Sequence, residues 1–176
     1  MRQGFAVWLT GLPASGKSTI AKALHRELAG RGVNAAVLES DALRRILTPD
    51  ADYADADRDA FYKRMARIGE LLTGCGVDVI FDATANRRAY RDEARGRISR
   101  FLEVHVDAPL EACESRDPKG IYRRAREGKA SNVPGIQSVY EPPLQPDLVV
   151  RGDTEPPAVA AGRILSLLME KGYLER

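Results

Sequence analysis

The chain has 176 residues, of which 44% are hydrophobic and 30% charged, and its formal net charge is +2. That is enough chain for one domain with a real core, and the composition excludes a disordered polymer. Near-neutral charge supplies no track for nucleic acid or an anionic membrane. No stretch approaches the ~18 apolar residues of a spanning helix, and the opening residues show no secretory leader, so a cytoplasmic setting is expected.

In chain order, residues 5–9 form a short apolar run that ends in a Gly-rich turn. Residues 17–31 carry Ile20, Ala21, Leu24 and Leu28 at helical spacing. Residues 35–38 predict a second strand and 41–47 a short helix. Residues 55–73 predict a long helix with Phe61, Met65, Ile68, Leu71 and Leu72 on one side. Residues 77–81 read as a third strand, 87–99 as a charged helix, and 101–106 as a fourth strand. A helix at 109–115 starts with Pro109. Residues 148–150 predict a fifth strand, and 157–171 a closing helix that Gly172 stops. Strands that alternate with helices predict parallel crossovers. The expected fold is α/β, a three-layer sandwich with a central five-stranded parallel sheet, formed by a single domain over residues 1–176. Residues 117–146 depart from the alternation: they are rich in Arg, Lys, Gly and Pro with little apolar periodicity. Such a stretch reads as a lid or binding loop.

Cys75 and Cys113 lie far apart without a CxxC pattern and read as small apolar residues in helices. His25 and His105 sit in a helix-like and a strand-like stretch, with no catalytic pattern around them.

Residues 11–18 read GLPASGKS, which fits G-x-x-x-x-G-K-[ST] at each fixed position, between a strand and a helix. Glycines let the backbone close around phosphate oxygens, and successive N–H groups at the helix start face the negative charge. Gly11, Ala14, Ser15, Gly16, Lys17, Ser18 and Thr19 are therefore the expected nucleotide-binding set, in a P-loop nucleoside triphosphate hydrolase or kinase fold. ATP and Mg²⁺ are the expected cofactors: Lys17 reaches the β- and γ-phosphates and the Ser18 hydroxyl holds the metal.

Two carboxylates stand at predicted strand ends. Asp82 reads as a support for Mg²⁺ and Asp41 as the group that accepts or orients an acceptor's hydroxyl proton. The bland alternatives are a helix N-cap for Asp41 and a turn residue for Asp82. Arg44, Arg58 and Arg64, on helices after the second strand, suit an anionic acceptor or a solvated surface. Arg116, Lys119, Arg123, Arg124, Arg126 and Lys129 make the lid basic, fit to neutralise transition-state charge or to form a solvated helix.

At these residues the chain resembles the adenylylsulfate (APS) kinase family. Members are P-loop kinases that use MgATP to phosphorylate the ribose 3′-hydroxyl of APS, which yields PAPS. The resemblance rests on GLPASGKST at 11–19, RDPKGIYRRAREGKA at 116–130 and VPGIQSVYEPP at 133–143. It implies that Asp41 is the base or a Mg²⁺ partner, that Arg44 and Arg58 hold the acceptor's anion, and that Lys119 touches the reacting phosphates. It puts Tyr53 where an aromatic ring packs on the acceptor's adenine. It also places Thr84 and Ala85 against the acceptor. The family is often dimeric, so a homodimer is an expectation by resemblance.

Departures fall in the acceptor pocket. Glu39-Ser40-Asp41-Ala42 replaces Asp-Gly-Asp-Asn, Phe61 stands where an Asn is usual, and Val133 replaces an adenine-stacking Phe. Asp82-Ala-Thr-Ala-Asn86 replaces a Ser-containing segment and is closer to the Asp-x-Thr-Asn turn of other small-molecule kinases. Two further readings therefore stay open: a kinase of the same type for another hydroxyl acceptor (a nucleotide derivative, a sugar or an antibiotic), and a non-catalytic nucleotide-binding module.

Overall fold

The computed structural model of the chain describes residues 2–49 and 55–175. In chain order its elements are β1 (Ala6–Thr10), α1 (Lys17–Gly30), β2 (Ala35–Glu39), α2 (Ser40–Leu47), α3 (Asp55–Gly74) and β3 (Asp78–Asp82). There follow α4 (Arg88–Arg97), β4 (Phe101–Asp107), α5 (Leu110–Arg116), α6 (Ile121–Arg126), β5 (Leu148–Arg151) and α7 (Pro157–Glu170).

The five strands form one sheet in the order β2-β3-β1-β4-β5, and each neighbouring pair is parallel. Side chains alternate across a strand, so β1 serves two cores. Val7 and Leu9, with the preceding Phe5, pack against Leu24 and Leu28 of α1 and Ile164 and Leu168 of α7. Ala6 and Trp8 face the opposite layer, with Met65 and Ala66 of α3 and Ala94 of α4. Trp8 stacks on Phe81 with ring centroids 4.4 Å apart. The three-layer α/β sandwich expected from the alternation is the observed architecture.

Strand register sets the position of the site. Leu9 and Glu39 both stand opposite Asp82, and Thr10 stands opposite His105. The carboxyl ends of β1, β2, β3 and β4 thus emerge along one rim. The chain reverses its lateral direction at β1, which has β3 on one side and β4 on the other. In open α/β sheets this is where ligands bind.

Residues 117–146 are more ordered than their lack of periodicity predicts. They contain α6 and a parallel bridge between Pro134 and Ser138. Tyr122 and Ala125, three positions apart on α6, bury themselves with Ala108, Cys113 and Val133 in a small third core. Leu12 and Ala14 of the phosphate loop pack against this core, which seats the lid on the loop it covers. Pro109 precedes α5 as its cap rather than opening the helix. No helix among the described residues is long and apolar enough to cross a membrane.

Candidate active site

The loop between β1 and α1 opens onto a cleft of about 620 Å³. Gly16 precedes α1 with φ 105°, a left-handed conformation that glycine adopts without strain, and a Cβ there would lie 3.2 Å from the Gly152 carbonyl oxygen. Lys17 opens α1, and the first-turn amides of a helix have no partner within it. The Ser15 hydroxyl is buried without a hydrogen-bond partner. This is a cradle with spare donors, as a polyphosphate requires.

Lys17 is 8% exposed, and its Nζ donates to the Gly11 and Leu12 carbonyls at 3.0 and 2.7 Å. Burial lowers its pKa to about 8, against the attraction of Asp82. Ser18, Thr19, Asp41, Asp82 and Thr84 line the same cleft. Ser18, Asp41 and Asp82 offer a hydroxyl and two carboxylates. These are hard oxygen donors of the kind Mg²⁺ accepts when substrate phosphates complete its shell. Among the described residues no three His, Cys, Asp or Glu side chains cluster to hold a metal by themselves.

Asp41 lies in the first turn of α2, whose N-cap is Glu39, a residue that makes no side-chain capping bond. The Asp41 carboxylate accepts from Lys119 of the lid, and Glu39 stands 3.8 Å from the same ammonium. The Asp41 bond raises the Lys119 pKa. Lys119 thus crosses from the lid to the end of β2.

Arg44 of α2 and Arg58 and Phe61 of α3 are buried against the chain's own groups. Arg44 is buried with its Cζ 3.9 Å from the centroid of the Phe61 ring. Phe61, fully buried, meets Tyr62 edge-on at 5.2 Å. Arg58 is 6% exposed; its Nη2 donates to the Asn132 carbonyl at 2.9 Å, and its Nη1 is buried without a partner. Thr84 reaches the cleft, whereas Ala85 is held behind it, its amide donating to the Tyr62 hydroxyl at 3.0 Å. Val133 turns into the lid's core with Tyr122 and Ala125, so its side chain packs the lid rather than the cleft. Tyr53 lies outside the described residues.

Three further contributors build the walls of the cleft. The loop after β5 brings Gly152, Asp153 and Thr154 to the cleft wall. A Cβ on Gly152 would overlap the Ser15 carbonyl, so this loop lies directly behind the phosphate loop. Its place after a strand and before Pro156 and Pro157 is the signal that could have marked it. Arg116 donates to the Gly152 carbonyl at 2.8 Å and joins α5 to the same wall. Tyr122 donates to the Pro13 carbonyl at 2.8 Å and ties α6 to the phosphate loop.

A parallel sheet in this order, a phosphate loop after its first strand and a basic lid that meets a carboxylate across the cleft define a P-loop kinase. The model of the adenylylsulphate kinase family matches residues 3–151, and the chain belongs to that family. The adenylyl-sulfate kinase of Microcystis aeruginosa is 41% identical over 99% of this chain and 97% of its own. That of Rippkaea orientalis is 42% identical over the same shares. The structure of the Mycobacterium tuberculosis APS kinase in complex with AMPPNP and APS superposes with a TM-score of 0.91 at 36% identity, covering 96% of this chain and 99% of that one.

Proposed function

We propose that the chain transfers the γ-phosphoryl group of ATP to the ribose 3′-hydroxyl of adenylyl sulfate and releases ADP and PAPS. The observation that carries this reading is the buried Arg58 guanidinium. Among the described residues its Nη1 has no hydrogen-bond partner. A buried cation with a free donor is matched to an anionic acceptor, and a phosphosulfate supplies paired oxygens that the planar guanidinium fork can meet together. The relatives named above support the same acceptor.

Each residue then has a task. Lys17 leaves its own loop carbonyls for the β- and γ-phosphates. Ser18 and Asp82 would hold Mg²⁺, which would supply charge neutralisation to the phosphates. Lys119 exchanges Asp41 for the γ-phosphate as the triphosphate enters, and this frees the Asp41 carboxylate. The acceptor oxygen attacks the γ-phosphorus, the bond to the bridging oxygen breaks, and the hydroxyl proton passes to Asp41. Arg44 and Arg58 fix the acceptor's anion, and Phe61 keeps the Arg44 plane in place by a cation–π contact. Thr84 and Ala85 form the wall beside it. The proposal includes a cytoplasmic setting and a homodimer; light scattering that returned a monomer's mass would remove the latter.

The test is PAPS formation by purified protein with APS and MgATP, against a Lys17→Ala control and a panel of sugars, nucleotides and aminoglycosides. PAPS formed only by the unaltered chain is the expected result. Turnover of another acceptor alone would assign the second kinase reading, and nucleotide binding without transfer to any acceptor the non-catalytic one.

A further inference from the structure

Ala85 has φ 43°, a left-handed conformation that an alanine keeps only where its surroundings hold it. Both of its backbone polar groups are held by buried side chains. The amide donates to the Tyr62 hydroxyl at 3.0 Å, and the carbonyl accepts from Arg91 Nη1. The Arg91 side chain is completely buried. Its Nε donates to Glu103 Oε1 at 2.6 Å, and its Nη2 to the Glu141 carbonyl at 2.7 Å. One guanidinium therefore joins α4, β4, the turn after β3 and the segment that leaves the lid.

That segment is stitched to the turn at further points. The Glu141 amide donates to the Asn86 carbonyl at 2.7 Å, and Asn86 Nδ2 to the Val139 carbonyl at 3.0 Å. Thr10 Oγ1 donates to the Thr84 carbonyl at 2.6 Å and lies 3.1 Å from the Tyr140 hydroxyl. A threonine has one hydroxyl proton, so Tyr140 is the donor of that second bond. On the lid side, Ser138 donates to the Asn132 carbonyl at 3.0 Å, which also accepts from Arg58. Val139, Asn86, Ala85, Arg91 and Glu141 form a closed ring, and Ser138 and Asn132 join Arg58 to it.

We propose that Arg91 is a positioning residue for the acceptor. Through the Ala85 and Glu141 carbonyls it fixes the acceptor wall at 83–86 to the return of the lid, so that Arg58 and Thr84 keep one spacing as the lid opens and closes. The inference rests on the reading of 83–86 as the acceptor side of the cleft. Arg91 touches neither nucleotide nor acceptor. The phosphate loop is held separately, by Tyr122 and Gly152, so loss of the Arg91 fork acts on the acceptor and spares ATP.

Arg91→Lys keeps the charge beside Glu103 but has no planar fork to span two carbonyls. Where that variant does not fold, Arg91→Met with Glu103→Gln removes both charges together and strands neither. Expected is a fall in kcat/KM for APS of about ten- to a hundredfold, since a small misplacement at a distance has that effect. The KM for ATP at saturating APS stays within about twofold, because only interactions with the acceptor are lost. Hydrogen exchange supplies a readout without APS: the Ala85 and Glu141 amides lose protection while β1 amides keep theirs. Equal losses toward both substrates, no loss toward either, or unchanged exchange at Ala85 and Glu141 would overturn the assignment of Arg91. Failure of the unaltered chain to turn over APS would instead overturn the proposed function, and the exchange result would still decide whether Arg91 holds the ring.

Discussion

In the proposed reaction Lys17 and Asp41 carry different parts of the chemistry, and their surroundings make the parts separable. Burial holds the Lys17 pKa near 8, below the 10.5 of a free lysine. Between those values the unfolded chain binds more protons at this site than the folded one. The lysine's unfavourable contribution is therefore full below about pH 8 and is relieved as pH rises toward 10.5. A bound triphosphate favours the charged form and reverses the shift. Nucleotide binding at about pH 9 should then take up close to one proton, and at about pH 7 almost none. Calorimetry in two buffers of different ionisation heat measures this; equal uptake at both values would remove Lys17 from the phosphate site. Among the described residues Asp41 pairs with Lys119 and with no phosphate-loop group. Asp41→Asn should lower turnover about 10²–10⁴-fold, the usual range for a lost general base. ATP affinity, followed by nucleotide titration, should hardly change.

Among the elements, the lid and the loop after β5 decide how the phosphate loop is supported. α6 is short, and its opening depends on Asp117, whose carboxylate accepts from the Tyr122 and Arg123 amides at 3.2 and 2.9 Å. The lid is thereby a folded piece with its own core that rests on Leu12 and Ala14. On the opposite side Gly152 meets the Ser15 carbonyl so closely that no side chain fits between them. Gly152→Ala should destabilise the fold by about 1–3 kcal/mol, the usual consequence of overpacking against a backbone that has little room to shift. It should also weaken ATP binding by displacing Ser15 and Gly16. Thermal unfolding and nucleotide titration check both parts. An alanine variant with unaltered stability and affinity would mean that the two loops separate more freely than their contact indicates.

For the molecule as a whole, Trp8 joins the core to the site. It is fully buried, has Phe81, Tyr62 and Phe101 around it, and donates from its indole to the Ala83 carbonyl at 3.1 Å. Trp8→Ala should cost about 3–5 kcal/mol, as truncations of large buried aromatic side chains do. Urea unfolding followed by far-ultraviolet circular dichroism reads this without the tryptophan signal. Because Ala83 leads into the acceptor wall, the same substitution should impair APS use more than ATP binding. The two layers of the sandwich thus differ in role. α1 and α7 pack on the face of the sheet that the proposal gives to the nucleotide, whereas α3 and α4 carry Arg58, Phe61 and Arg91, which it gives to the acceptor side.

Order along the chain was enough to place the strands, the long helices and the phosphate loop. Apolar runs, helical spacing and G-x-x-x-x-G-K-S are local patterns, and each acts within a few residues. Asp41 and Asp82 were legible for the same reason, as carboxylates at strand ends. α6 was missed because a six-residue helix with three arginines buries little on its own, and its core partners Cys113 and Val133 lie outside it. The placement of Val133 in the lid core, the Arg44–Phe61 contact, the approach of Gly152 to Ser15 and the Arg91 ring all depended on the folded chain. Each joins groups with no fixed spacing, up to 137 positions apart for Gly152 and Ser15. A local pattern carries no record of which distant carbonyl a buried guanidinium will meet; packing of the layers determines that.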